Sequence, residues 1–550
     1  MALSSRPDKI MENQAAKDFQ TLLQLIEELH ADNERLKTEV QKLRDENNLL
    51  KGEQPKPKIT PSKKENKDTS SEKERKDREP KKEKKSKAKK HKIKIDRSEV
   101  CYVDKNILPK DAEFKGYQVV TVQELIIKTD NVEYKKEVYY SPSQKKTYLA
   151  QLPTGIQGGY GPGLISFIYA QKYVSNVSEP KIEEFLKNVG TFISQPTISR
   201  FLTKDLEYFH EEKTDIFLSG LSSTVFQQID DTGAKVNGEN QYVQIICNPY
   251  YTAFFTVPKK DRLSVLDILA GKKERNYYFN EKAFDLLKTF RLSQKVIKEL
   301  RSQVADKILD NNQMKNVLEN LFPKPGSGKN QCIRIKEAGA IAAYHNQTDF
   351  PIISVLLCDD APQFKYLTWE LGLCWVHDGR HYKKLQPIVP LNKEKVDDFL
   401  NVYWDYYAKL LQYKENPTQD RAEELSEEFN QLFSTKTVYG ILDDRISKSK
   451  TKKTELLLVL KYPELPLHNN NSELGARAEK RKQDVSLHTK TKEGTKAKDT
   501  FMTIVETAKK LGVSAYEYIF DRVSKKYQLP YLSSLIDAKG MSSSKCYNTS

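Results

Sequence analysis

Between residues 19 and 51 leucine returns at every seventh position, Leu22, Leu29, Leu36, Leu43 and Leu50. Phe19, Ile26, Asn33, Val40 and Asn47 stand three residues before each. These are the d and a positions of a heptad repeat, and Asp32, Glu39 and Glu46 at g face Lys37, Arg44 and Lys51 at e of a neighbouring helix. The pattern predicts a leucine zipper over 16–52, and asparagine at two a positions favours a parallel, in-register pair. Residues 1–15 are expected to be disordered, and so is 53–97, where almost no apolar side chain occurs and ordering entropy has nothing to offset it.

Beyond 98 the period changes. GYQVVTVQELIIK and VEYKKEVYY alternate as short strands do, and predict a small domain over 98–150. EPKIEEFLKNVGTFISQPTISRFLTK reads as helix, glycine turn, helix, with Ser194 as cap and Pro196 in the first turn of the second helix. Its exposed Ser199, Arg200 and Lys204 suit a DNA recognition element, so 151–210 is expected to be helix-turn-helix-like. Residues 224 to 257 predict a three-stranded meander turning at Asn237-Gly238. The apolar run PIISVLLCDD predicts a buried parallel strand, and helical intervals lie on either side of it. A larger α/β body is placed at 215–520 and a tail at 521–550.

Charge sharpens this picture. The formal net charge is +15, and residues 51–95 hold 19 Lys and Arg against 8 Asp and Glu, so the excess is concentrated in one segment that would attract a phosphate backbone without reading sequence. No apolar run is long enough for a membrane span, and no signal-peptide pattern opens the chain. The six cysteines form no C-x-x-C pair, which disfavours a disulfide framework and a cysteine zinc site. Neither glycine-rich stretch, GIQGGYGPG or PGSGKN, carries the Lys-Ser or Lys-Thr of a phosphate cradle.

Three carboxylates stand out by position: Asp230 on the first meander strand, Asp359 at the end of the apolar strand, and Glu473 after three asparagines at a helix start. Each alone reads as a cap or turn residue. Together they suit two divalent ions held roughly 3.5 to 4 Å apart for phosphodiester chemistry, and their hard oxygens favour Mg²⁺ or Mn²⁺ over zinc.

The segments IDDTGAKVNG, LLCDDAPQF, LCWVHDGRHYKKL, HNNNSELGAR and TIVETAKKLGVSAYEYI, in that order, resemble the motif blocks of insertion-sequence-66 transposases. The resemblance spans about residues 150 to 520. It implies an α/β, ribonuclease-H-like DDE core with helical insertions, with Asp230, Asp359 and Glu473 as the catalytic and metal-binding triad and two Mg²⁺ or Mn²⁺ ions as cofactors. Asn469 and Asn470 would shape and cap the helix that presents Glu473, and Arg380, Arg477, Lys480 and Arg481 would hold DNA phosphates. For Trp375 and His377 a place near the scissile phosphate and an ordinary buried role both stand. The sequence departs from the family at His468, where the family has Asp, at Asp360, where it has Gly, and over 98–150, where only Cys101 remains of a zinc-binding module.

The activity implied is cleavage of double-stranded DNA at element ends and joining of the 3′-hydroxyls to target DNA. A zipper homodimer or a larger assembly on DNA would act in the bacterial cytoplasm at the nucleoid, with accessory proteins of the element as further partners. The departures motivate a rival: a catalytically inactive, transposase-derived DNA-binding dimer.

Overall fold

The computed structural model describes residues 6–50, 70–78, 94–109, 111–271, 274–324 and 326–547. Most of the expected basic tether and residues 1–5 lie outside them. The heptad segment belongs to one helix, Arg6–Leu50, which begins within the stretch 1–15 expected to be disordered. Within the stretch expected to be a disordered linker, Glu72–Arg78 forms a short helix against the body of the protein. The small domain expected at 98–150 is mostly irregular: only β1 (Val138–Ser141) and β2 (Lys146–Leu149) pair, as a hairpin. The alternating run at 116–128 forms no strand. Val119 is 87% exposed and Leu125 78%, so alternation here has no apolar surface to pack against.

The centre is a five-stranded sheet. β3 (Phe226–Val236), β4 (Glu239–Cys247) and β5 (Thr252–Val257) make the expected antiparallel meander. Asn237 and Gly238 turn the hairpin with φ of 50° and 83°, the left-handed geometry that suits a two-residue loop between twisted strands. β6 (Tyr277–Tyr278) and β7 (Ile308–Leu309) pair briefly inside the first helical insertion. β8 (Val355–Cys358), buried throughout, then runs parallel to β3, and β9 (Glu370–Leu373) runs parallel to β8. The sheet order is β5-β4-β3-β8-β9.

Two helices close the meander side. Asn470–Ser486 lies over β3 and β4, and Lys492–Leu511 runs along β5. Three side chains of the latter, spaced four apart on one helix face, take the outward N–H groups of the edge strand. Thr507 Oγ1 accepts from Thr252 N at 3.2 Å, Thr503 Oγ1 from Phe254 N at 3.1 Å, and Asp499 Oδ2 from Thr256 N at 2.6 Å. The edge is thereby denied to other strands.

The second insertion, with helices Pro390–Glu415, Gln419–Leu432 and Gly440–Lys450, packs around Trp375. That indole is fully buried among Tyr403, Tyr406, Phe429 and Phe433 and donates from Nε1 to Leu456 O at 2.9 Å. The expected tail is instead an ordered element. Leu532–Tyr547 is a helix that packs on Glu207–Ser222 through buried Leu532 and Ile536. Among the described residues no helix is long and apolar enough to cross a membrane.

Candidate active site

β3 and β8 are neighbouring parallel strands with Gln228 level with Leu357. Asp230 stands two residues beyond Gln228, and Asp359 two residues beyond Leu357, just past the end of β8. Both acids thus sit at the carboxyl end of the β3–β8 pair, where open α/β sheets meet their ligands.

The loop before Glu473 is stitched across this end. Asn469 Nδ2 donates to Ile229 O at 2.7 Å, next to Asp230, and Gln228 Nε2 donates to His468 O at 3.4 Å. On the other side Trp375 N donates to Leu467 O at 3.0 Å, and Asn469 N approaches Cys374 Sγ at 3.3 Å. Glu473 therefore enters in the first turn of Asn470–Ser486 directly above β3. The capping expected of the asparagines is corrected here: Asn469 is the N-cap residue, but its side chain makes no cap and ties the helix to the sheet instead. The first helical N–H, that of Asn470, is taken by His468 Nδ1 at 3.3 Å. The ring nitrogen accepts there as a carboxylate oxygen would.

Each aspartate pair divides its labour. Asp231 is held by Lys260 Nζ at 2.6 Å and Gln363 Nε2 at 3.0 Å. Asp360 is held by Lys452 Nζ at 2.5 Å and Lys365 Nζ at 3.1 Å, and these lysines keep its carboxyl below the usual range in spite of its burial. Asp230 is different. Burial pushes its carboxyl up to about 7, and the charges of Asp359, Asp231 and Glu473 add to the rise against one backbone hydrogen bond from Asp231. Asp230 thus feels the charge of both other acids of the expected triad. Lys260, Lys365 and Lys452 were not anticipated, since nothing in the spacing of Lys452, 92 residues beyond Asp360, links it to that acid.

Glu473 lies among cations. Arg380 and Arg477 each approach Glu473 Oε2 at 3.4 Å. His377 Nε2 is 3.6 Å from Oε1; burial and the nearby Arg380 lower its pKa to about 4, so it faces the carboxylate as a neutral ring. Trp375 takes the buried structural role. Of the other expected DNA contacts, Lys480 and Arg481 are exposed further along the same helix, whereas their neighbour Lys482 is buried against Lys172 O and the Tyr173 ring. Ser199, Arg200 and Lys204 belong to a separate element. The helix Gln195–Thr203 follows Glu179–Asn188 after a turn at Gly190, buries Ile198, Phe201 and Leu202, and leaves Arg200 and Lys204 exposed.

Among the described residues no three His, Cys, Asp or Glu side chains are grouped closely enough to hold a metal ion. Asp230 and Asp359 are hard-oxygen donors of the class that suits Mg²⁺ or Mn²⁺, with the Lys260 ammonium close enough to interact with both. Glu473 would join them only by exchanging its arginine contacts.

A family model described as Transposase IS66 family matches residues 338–497, a range that contains Asp359, the Trp375–Arg380 turn and Glu473 and begins after Asp230. The uncharacterized protein y4jO of Sinorhizobium fredii (strain NBRC 101917 / NGR234) is 30% identical over 326 residues, 58% of this chain and 99% of that protein. With the motif blocks met in order along the sheet and its flanking helices, these matches mean that the chain belongs to the IS66 transposase family.

Proposed function

We propose that this protein is an active DDE transposase that cuts DNA at the ends of an insertion sequence and joins the freed 3′-hydroxyls to target DNA. The observation that carries the reading is that Asp230 and Asp359 each follow by two residues the paired Gln228 and Leu357 of adjacent parallel strands, with the Glu473 helix tied to Ile229 beside Asp230. The strand order, in which the first three strands form a meander and the next two run parallel to the first, supports a ribonuclease-H-like core.

Asp230 and Asp359 would hold Mg²⁺ or Mn²⁺, with Glu473 as third ligand, and bound ions would supply activation of the attacking oxygen and stabilisation of the leaving one. The chain's own groups do the positioning. Arg380 and Arg477 offer bidentate donors to phosphate, Lys480 and Arg481 extend that cationic face along the helix, and Arg200 and Lys204 with Ser199 suit terminal-sequence binding. His377, neutral, orients Glu473 without competing for it as a charge.

The zipper helix would pair two copies. Glu27, at an outer b position, accepts from Ile388 N at 3.0 Å and Val389 N at 2.9 Å, while Leu22, Ile26, Leu29, Leu36, Val40 and Leu43 of the a/d seam remain exposed. The helix thus docks on its own chain with its apolar stripe open to a partner. Sedimentation should show a dimer that Leu29→Lys with Leu36→Lys splits; a monomer at micromolar concentration would contradict the pairing.

The rival, an inactive DNA-binding dimer, draws on the ion pairs that occupy Glu473. Purified protein with paired element ends and Mg²⁺ separates the two. Strand cleavage by the native chain, lost in Asp230→Ala, Asp359→Ala and Glu473→Ala while DNA binding persists, is expected here. DNA binding without cleavage in the native chain favours the rival, and cleavage surviving in all three variants removes the triad assignment.

A further inference from the structure

Two cations, Arg477 beside Glu473 and Lys383 on the Arg380 helix, are already answered by a segment from the far N-terminal side. Arg477 donates to Glu72 Oε1 as well as approaching Glu473. Lys383, one helical turn beyond Arg380, pairs with Glu74 and donates to Ser70 O at 2.7 Å. Arg78 Nε reaches Asp405 Oδ1 at 3.1 Å and fixes the other end of the segment to the second insertion. Ser71 and Arg75 are buried in the contact. Burial opposes ionisation of Glu72, but the Arg477 hydrogen bond and the charges of Arg477, Lys76 and Arg380 prevail and keep its carboxyl below the ordinary value.

The composition is as pointed as the geometry. Residues 51–95 hold 8 acidic residues among 19 basic ones, and 4 of those 8, Glu72, Glu74, Asp77 and Glu79, fall within one stretch of eight positions. A tether that served only to attract DNA would have no use for carboxylates there. Carboxylates on arginine and lysine satisfy the same charge-assisted hydrogen bonds that phosphate oxygens would.

We propose that Ser70–Arg78 is an autoinhibitory strap, lying in the track that a DNA strand takes past Glu473 along Arg477, Arg380 and Lys383, and that DNA enters by displacing it. The proposal rests on the reading of this site as a DNA-processing centre and adds to it Lys383 as a backbone contact and the strap as its competitor. Displacement exchanges one set of anions for another on the same cations. The lysine-rich sequence on either side of the strap adds positive charge for the same duplex.

The test uses the full-length chain and a fluorescein-labelled duplex of random sequence at fixed salt. Glu72→Gln with Glu74→Gln removes the competing anions. Glu423→Gln with Glu427→Gln removes the same charge from the exposed face of Gln419–Leu432 and controls for net charge. The strap variant should bind about fivefold more tightly than the native chain, the scale of two surface ion pairs, and more tightly than the control. In a Lys383→Gln, Arg477→Gln background the strap substitutions should have no further effect. Hydrogen exchange gives a second readout: amides at 72–78 should lose protection when the duplex is added to the native protein. A strap variant no tighter than the control, or a segment that stays protected in the DNA complex, overturns the strap while leaving the DNA reading intact. A native chain and strap variant that both bind no duplex overturn the transposase reading and the strap with it.

Discussion

Gly475 rests on Ile245, the residue that pairs with Asp230 across the β3–β4 ladder. A Cβ on Gly475 would stand 2.7 Å from Ile245 Cγ2. The closeness of the Glu473 helix to the sheet is therefore set by the missing side chain two positions after the glutamate. In Gly475→Ala, better helix propensity returns up to about 1 kcal/mol, but overpacking against a fully buried isoleucine costs about 1–3 kcal/mol. Net destabilisation is expected in urea unfolding, with cleavage falling further than stability alone explains. An alanine variant as stable and as active as the native chain would show that the helix does not seat through this contact.

The neighbouring aspartates should separate cleanly. Asp230→Asn and Asp359→Asn are expected to lower metal-dependent cleavage by about a hundredfold or more, as loss of a group that stabilises developing charge does. Asp231→Asn and Asp360→Asn release lysines whose ammonium groups reach solvent, and Asp231→Asn also loosens Gln363; both should retain cleavage. Equal losses at all four positions would contradict the assignment.

Asn469 is a second lever on Glu473. Asn469→Ala removes the donor to Ile229 O from a site that is 1% exposed, and unpairing a buried polar group costs about 1–3 kcal/mol. Asn469→Asp should be worse for activity. It sets an acceptor against a carbonyl oxygen and adds another negative charge beside Asp230. Thermal unfolding paired with a cleavage assay checks both, and an aspartate variant better than the alanine one would refute the donor role.

Much of this site could be read before the fold was known, and the limits of that reading are physical. The continuous apolar run into Asp359 announced a strand buried on both faces, and Asn237-Gly238 announced the hairpin that brings β4 beside Asp230, because both signals are local. Which aspartate of each pair is tied up was not legible, since it depends on lysines brought in by the insertions. The role of Asn469 was misread for a related reason: a capping residue and a cross-link to a distant carbonyl look the same in sequence. Alternation at 116–128 suggested strands where no partner surface exists, and the acidic cluster at 72–79 acquires meaning only when Arg477 and Lys383 are seen beneath it.

Away from the site, the base of the helical region carries a titration that should be visible in stability. Glu212 and Asp521 share the buried Arg522, with Arg522 Nε 3.6 Å from Glu212 Oε2. Burial raises the Glu212 carboxyl to about 7, more than Arg522 lowers it. The folded state holds this proton over a range where the unfolded chain, with a value of 4.5, has lost it. The contribution is therefore full below about 4.5 and fades as pH rises through about 7. Glu212→Gln should leave stability nearly unchanged at low pH and raise it by about 1–3 kcal/mol above pH 7. Denaturant midpoints across that range test it; a variant less stable than the native chain at pH 8 would mean that the charged Glu212–Arg522 pair prevails.

The most direct test of the central claim is an anomalous difference map from crystals of the native chain soaked in Mn²⁺. Density bridging the carboxylates of Asp230 and Asp359, with Glu473 released from Arg380 to meet it, is the expected result. Manganese bound elsewhere, or a site that stays bare at saturating Mn²⁺ with Glu473 still held by its arginines, would contradict a catalytic centre built on these three acids.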